Sequence, residues 1–273
     1  MTAILVFFAA HWVLSIFAQT FFLHRYGAHR MFTMSRFWDR FFYLFAFVAQ
    51  GPSFLIPRAY AYLHREHHAF ADGEGDPHSP LHHGNVGAMM WKTKGRYDAY
   101  AYHRAEPERR FRGGTPEWPA LDALSQRWTV RVGFGALYAV YYLAFAPSAF
   151  WFALLSIHWL MGPIHGAIVN WCGHKYGYRN FDTDDASRNT LPIDFVTMGE
   201  LFQNNHHQRG AHPNFAARRF EIDPTYPVIW LLAKLGVIQN VSAQRARYPQ
   251  ERRAAGTPSR SITPTASRTR MTW

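Results

Sequence analysis

Charge is distributed unevenly along the chain. No Asp, Glu, Lys or Arg occurs in residues 1–23 or in residues 132–173. Residues 4–23 are mostly apolar, and wound as a helix they extend about 30 Å, the thickness of a bilayer core. A signal peptide would open with a basic region and end at a small-residue cleavage site, and neither precedes the polar segment that follows. This stretch is therefore expected to be a membrane span. The second uncharged stretch is about twice as long, and Pro147 interrupts it, which predicts two spans folded back on each other, residues 132–146 and 148–169. A third apolar segment, residues 41–57, lies between two histidine-rich segments. If both segments serve one centre, they share a side of the membrane. A single crossing is then excluded, and 17 residues are too few for two. Residues 41–57 are accordingly predicted to form a membrane-associated helix that packs on the site or dips into one leaflet. The expected architecture is all-α, an integral membrane protein with three to four membrane helices.

Composition narrows the class. The chain has 273 residues, 48% hydrophobic and 17% aromatic, with 16 His and one Cys, Cys172. The mean hydropathy is slightly negative, −0.23, so a substantial polar part accompanies the spans. One cysteine excludes a disulfide framework and thiolate metal sites. The formal charge of +11 would suit nucleic-acid binding, but the 29 Lys and Arg flank the apolar stretches on what would be one membrane face. The positive-inside rule makes that face cytoplasmic, and no nucleic-acid partner is expected. Residues 1–240 read as one membrane domain. Residues 241–273, rich in Arg, Pro, Ser and Thr, read as a disordered basic tail able to lie near anionic headgroups.

Four clusters sit beside the apolar segments: His24 and His29 in HRYGAHR; His64, His67 and His68 in HREHH; Asn170 and His174 in NWCGH; Gln203, His206 and His207 in QNNHH. On a helix, residues three and four apart share a face. His64 thus joins His67 and His68, Gln203 joins His206 and His207, and Asn170 joins His174. His24 and His29 are five apart, about 100° out of α-helical register, which suggests service to two different ions. Imidazole suits first-row metals, and eight His exceed the needs of one ion, so two metals are expected. HREHH is not the zinc-protease pattern, in which Glu directly follows the first His. Asp72, Asp76, Asp182, Asp194 and Glu200, with His78, are candidates to orient the ligands. His11, His158 and His165 lie inside the expected spans and are read as structural.

The motifs HRYGAHR, HREHHAFADGEGDPHSP, NWCGHKYGYRN and GELFQNNHHQRGAHPNFAARRFEIDPTYP together resemble a membrane fatty acid desaturase of the acyl-CoA (delta-9, stearoyl-CoA) type, over about residues 24–238. The resemblance implies a cytoplasmic helical cap holding a di-iron centre. Its ligands would be His24, His29, His64, His67, His68, His174, His206 and His207, with Asn170 acting through water. The family's ninth histidine falls on Gln203, a departure, and Leu63 stands where animal members carry an acidic residue. The QNNHH form resembles a bacterial branch, which implies a bacterial inner membrane. The implied reaction introduces a cis double bond into a saturated long acyl chain, as acyl-CoA or bound to lipid, using O2 and two electrons. The implied partners are that acyl substrate, membrane lipids and an acidic electron donor such as ferredoxin or a cytochrome b5-like protein. An apolar tunnel for the chain is expected among residues such as Phe41, Phe42, Phe45, Trp159 and Trp171. A di-iron hydroxylase of an alkyl or lipid substrate is the competing expectation, followed by a non-catalytic metal-binding membrane protein.

Overall fold

The first apolar stretch winds without a break. Helix α1 (Thr2–Phe17) passes into a π-wound segment, Ala18–Ala28. The computed structural model describes residues 1–242, and among them Thr2–Ala28 is the one unbroken helix long and apolar enough to cross a membrane. It runs past residue 23 because the polar residues that follow, His24 and Arg25, are buried against protein. The basic tail expected over residues 241–273 lies, from residue 243 onward, outside the described residues.

Helix α2 (Arg36–Gln50) starts behind Ser35, whose hydroxyl accepts the Trp38 N–H at 3.4 Å as an N-cap. Phe42, Tyr43, Ala46 and Phe47 face the core. Phe37, Phe41, Leu44 and Val48, at three- and four-residue spacing, face outward. The helix expected over residues 41–57 therefore begins earlier and stops at Gln50. Gly51 ends it at φ +52°, where a Cβ would lie 2.2 Å from the Tyr138 hydroxyl. The chain stays extended at Ile56 because Pro57 follows, and that proline opens α3 (Pro57–Phe70).

α3 packs along the π-wound segment. Its Glu66 faces away from the histidines and accepts a fork from Arg96 at 2.7 and 3.0 Å, tying α3 to α4 (Val86–Ala101). Short α5 (Pro119–Ser125) leads to α6 (Trp128–Phe145), whose Val132, Leu137, Val140 and Leu143 are exposed. With the outward faces of α1 and α2 they form an apolar outer surface of the kind a bilayer covers.

The segment expected as one span over residues 148–169 is instead two helical pieces, Ala149–Trp159 and Met161–Lys175, meeting at 69°. The first piece ends in α7 (Leu154–Trp159) and the second is α8. Pro163 supplies the reason: it lacks an N–H, and its ring would clash with the Trp159 carbonyl in a continuous helix. Two short helices, α9 (Gln203–Gln208) and α10 (Thr225–Lys234), lie in the C-terminal part. One departure from an all-α chain is the two-residue pair β1 (Thr33–Met34) and β2 (Ile238–Gln239), antiparallel, which closes the C-terminal segment onto the turn after the π-wound segment. The core lies between the π-wound segment, α2 and α3, around Phe21, Phe22, Phe32, Tyr43 and Phe54.

Candidate metal centre

The π-wound segment sets the first histidines. The His29 N–H bonds to the His24 carbonyl at 3.0 Å, an i→i+5 bond. Residues five apart then differ by about one turn and share a face. His24 and His29 accordingly meet in one group, contrary to the expectation from α-helical register that they would serve separate ions. Arg65 fixes the end of this segment: its buried guanidinium donates to the carbonyls of Gly27 at 3.0 Å, Ala28 at 2.9 Å, Phe111 at 2.8 Å and Gly113 at 2.8 Å.

α3 brings His64, His67 and His68, α8 brings His174, and α9 brings His206 and His207. Their nitrogens form two groups that could each hold a metal ion. One comprises His24, His29, His64, His68 and His206, and the other His67, His174 and His207. The groups adjoin, with the His68 and His207 rings 4.5 Å apart. Nε2 atoms approach at 3.0 Å for His24 and His206, 2.7 Å for His29 and His64, 2.9 Å for His68 and His206, and 3.2 Å for His67 and His207.

Carboxylates hold four of these rings by the far nitrogen. His67 Nδ1 lies 2.9 Å from Asp76, His174 Nδ1 2.8 Å from Asp72, His207 Nδ1 2.6 Å from Asp185 and His24 Nδ1 2.5 Å from Glu200. A carboxylate can only accept, so each Nδ1 carries the proton and each Nε2 presents a lone pair. His67 and His207 then bring Nε2 to Nε2 at 3.2 Å, a contact that a proton on one ring or a metal ion between them satisfies. The His174 Nε2 is buried without a protein partner. This donor set, neutral imidazoles aimed inward and anchored outward, fits first-row metal ions.

The electrostatics agree. Burial foremost, and neighbouring cationic groups after it, hold His29, His64, His68 and His206 well below the usual imidazole range. They are neutral and able to ligate at pH 7. Burial also lowers His67, but the Asp76 carboxylate outweighs it and raises this group. Burial pushes Asp72 up, yet its contacts, the hydrogen bond from His174 foremost, bring it down to about 2. Asp76, Asp185 and Glu200 lie below the usual carboxylate range for the same reason, their histidine partners outweighing burial.

Asn170 and Gln203 stand apart from the two groups, on the wall of an adjoining cavity of about 600 Å³ that His64, His78 and Glu200 also line. The Gln203 amide donates to the Glu200 carbonyl at 2.6 Å, and its side chain packs where a Cβ on Gly173 would sit. Away from the histidines the walls are largely apolar, with Leu55, Ile56, Trp159 and Val169. Of the aromatics expected to line a tunnel, only Trp159 does so; Phe42 is in the core and Phe41 is exposed.

Of the expected orienting groups, Asp72, Asp76 and Glu200 touch ring nitrogens. The Asp182 side chain is fully exposed. Asp194 accepts from the backbone of Thr197, Gly199 and Leu201 and shapes the loop before α9. Asp185 was not foreseen. It lies in an acidic run with no periodicity, and only the fold brings it to His207. His78 is buried and stacks on His67 with ring centroids 4.3 Å apart. His11 and His158 pair by their Nδ1 atoms at 2.5 Å, with the Tyr142 hydroxyl on the far side of His158 at 2.9 Å.

A family model described as fatty acid desaturase matches residues 2–233. The chain is 27% identical over 266 residues to a hex-5-enoyl-[acyl-carrier protein] acetylenase of Moorena producens (strain JHB), covering 89% of this chain and 78% of that one. It is 29% identical to an acyl-CoA 5-desaturase of Anemone leveillei, covering 84% and 68%. It is 28% identical to an sn-1 stearoyl-lipid 9-desaturase of Anabaena variabilis, covering 85% and 80%.

Proposed function

The chain belongs to the fatty acid desaturase family and is an oxidoreductase of that class, and we propose that it places a cis double bond in a saturated long acyl chain with O2 and two electrons. One observation carries this: eight imidazoles converge in two adjoining groups, one of which borders a largely apolar cavity through His64. In this reading two irons are held by His24, His29, His64, His68 and His206 on one side and by His67, His174 and His207 on the other. Asn170 and Gln203, on the cavity wall, complete the second position through water or directly. When bound, the iron pair supplies the redox chemistry with O2 that removes two hydrogens from neighbouring methylenes.

The chain's own residues do the rest. Asp72, Asp76, Asp185 and Glu200 hold the ring tautomers. The apolar walls align the acyl chain and exclude water. The three relatives are named for acyl groups on an acyl-carrier protein, on CoA and on lipid, and all three carriers are tested. We further propose that residues 1–240 form one membrane domain with three or four membrane helices and a cytoplasmic helical cap in a bacterial inner membrane. The electron donor is an acidic carrier such as ferredoxin or a cytochrome b5-like protein, steered by the basic face.

The test is an assay of the iron-loaded protein with reduced ferredoxin and O2 on saturated acyl chains presented on each of the three carriers. The expected product is a monounsaturated chain from at least one carrier. An alcohol in its place would establish the hydroxylase reading and overturn this one.

A further inference from the structure

We infer that Arg25 is a positioning residue for the five-imidazole group, acting on His24 through Thr20 and Glu200 and on His206 through Phe215. The inference rests on the metal reading of that group. Arg25 follows His24 directly, yet it is fully buried, with no exposed area at all. A guanidinium so placed needs partners, and one of them is the equally buried Asp223, which accepts from it at 2.7 Å.

The first arm runs through a hydroxyl. Arg25 donates to the Thr20 Oγ1 at 2.9 Å, and Thr20 bonds to Glu200 Oε1. Arginine has only donors, so the threonine oxygen must accept from it. Its own proton is then directed at Glu200. That occupies one carboxylate oxygen and leaves Oε2 for His24 Nδ1, at 2.5 Å. The direction of every bond is therefore set from Arg25, and the end of the chain is a His24 ring with its Nε2 lone pair facing the group.

The second arm runs through a ring. No carboxylate holds His206, whose Nδ1 is buried without a hydrogen-bond partner. Its ring packs instead on Phe215, with centroids 4.4 Å apart at 39°. The Arg25 guanidinium lies over the same Phe215 ring at 3.9 Å. Asp223 fixes the Phe215 backbone too, accepting its N–H at 2.9 Å. One ion pair thus grips both rings of the His24–His206 contact, by two kinds of force.

The experiment uses the full chain in detergent with Co(II) as the probe, following affinity and visible absorption at each position. The five-imidazole position is identified by its loss in His29→Ala. In Thr20→Val, apparent affinity at that position falls about 10- to 100-fold and its Co(II) bands move, while the other position keeps both. Thr20→Ser, which restores the hydroxyl without the methyl, returns affinity and bands to those of the unmodified chain. Arg25→Met combined with Asp223→Asn, which removes both charges together, gives the Thr20→Val result. Should Thr20→Val fail to fold, Arg25→Lys carries the same comparison, because it keeps the charge and loses the fork. Unchanged affinity and bands in these variants, or a Thr20→Ser that behaves like Thr20→Val, would overturn the inference alone. Failure of the unmodified chain to bind two Co(II) would overturn the metal reading and the inference with it.

Discussion

At the residue scale, function rests on which nitrogen of each imidazole is free. His207 depends on Asp185, an anchor 2.6 Å from its Nδ1. Asp185→Asn is expected to weaken metal binding at the three-imidazole position about 10- to 100-fold and to leave the five-imidazole position intact. Metal analysis after equilibrium dialysis at graded free-metal concentrations checks this, and an equal loss at both positions would contradict it. The depressed imidazoles also predict a pH dependence. Below about 6.5 the unfolded chain takes up protons at His29, His64, His68 and His206, while the folded, metal-free protein does not. Stability is therefore fully present above that value and declines as pH falls through it. His67, raised by Asp76, opposes this, but His78 and His207 are lowered with the other four and outnumber it. The melting temperature of the metal-free protein should drop between pH 7.5 and pH 5; a flat or rising profile would show that these groups are not buried as described. The eight histidines that converge were legible beforehand, because their spacing marks them. Asp185 was not, since its partner is contributed by a separate helix and no local pattern links them.

At the element scale, two windings decide the geometry. The π-wound segment makes His24 and His29 neighbours, and sequence spacing read with an α-helical period put them about 100° apart. The i→i+5 winding is sustained by the Arg65 clamp and by the burial of Arg25, which are tertiary facts and leave no periodic trace. The bend between α7 and α8 was more accessible, because Pro163 forbids the continuous span that hydropathy alone suggested. The contact of α8 with α9 gives a prediction. A Cβ at Gly173 would stand 2.4 Å from the Gln203 Cγ. Gly173→Ala should displace Gln203 and with it His206 and His207, lowering turnover by roughly tenfold or more with the helical content retained. Wild-type turnover in this variant would mean that Gln203 can give way freely and that its seat does not matter.

At the scale of the whole molecule, the uncharged stretches gave the outline of a helical chain, and Thr2–Ala28 is the one unbroken helix among the described residues long and apolar enough to cross a membrane. What hydropathy could not supply was the cavity, whose walls come from the turn after α2 and from α4, α6 and α8 together. The bulky aromatics singled out by type were mostly core or outward-facing. Small residues mark the cavity better: nothing lies within 4 Å of a Cβ built on Gly166, which lines it. Gly166→Phe should therefore shorten the acyl chains that are accepted, shifting products to lower carbon number with metal content unchanged. An unaltered chain-length profile would place the substrate elsewhere.

The central claim is that the paired imidazole groups desaturate acyl chains. Its most direct test is expression in a bacterial host whose acyl chains are saturated, with a competent electron donor, followed by mass spectrometry of total lipids beside a His67→Ala, His206→Ala double variant. New monounsaturated chains are expected from the unmodified protein and none from the variant. Equal products from both, or no product from an unmodified protein shown to hold two irons, would contradict it.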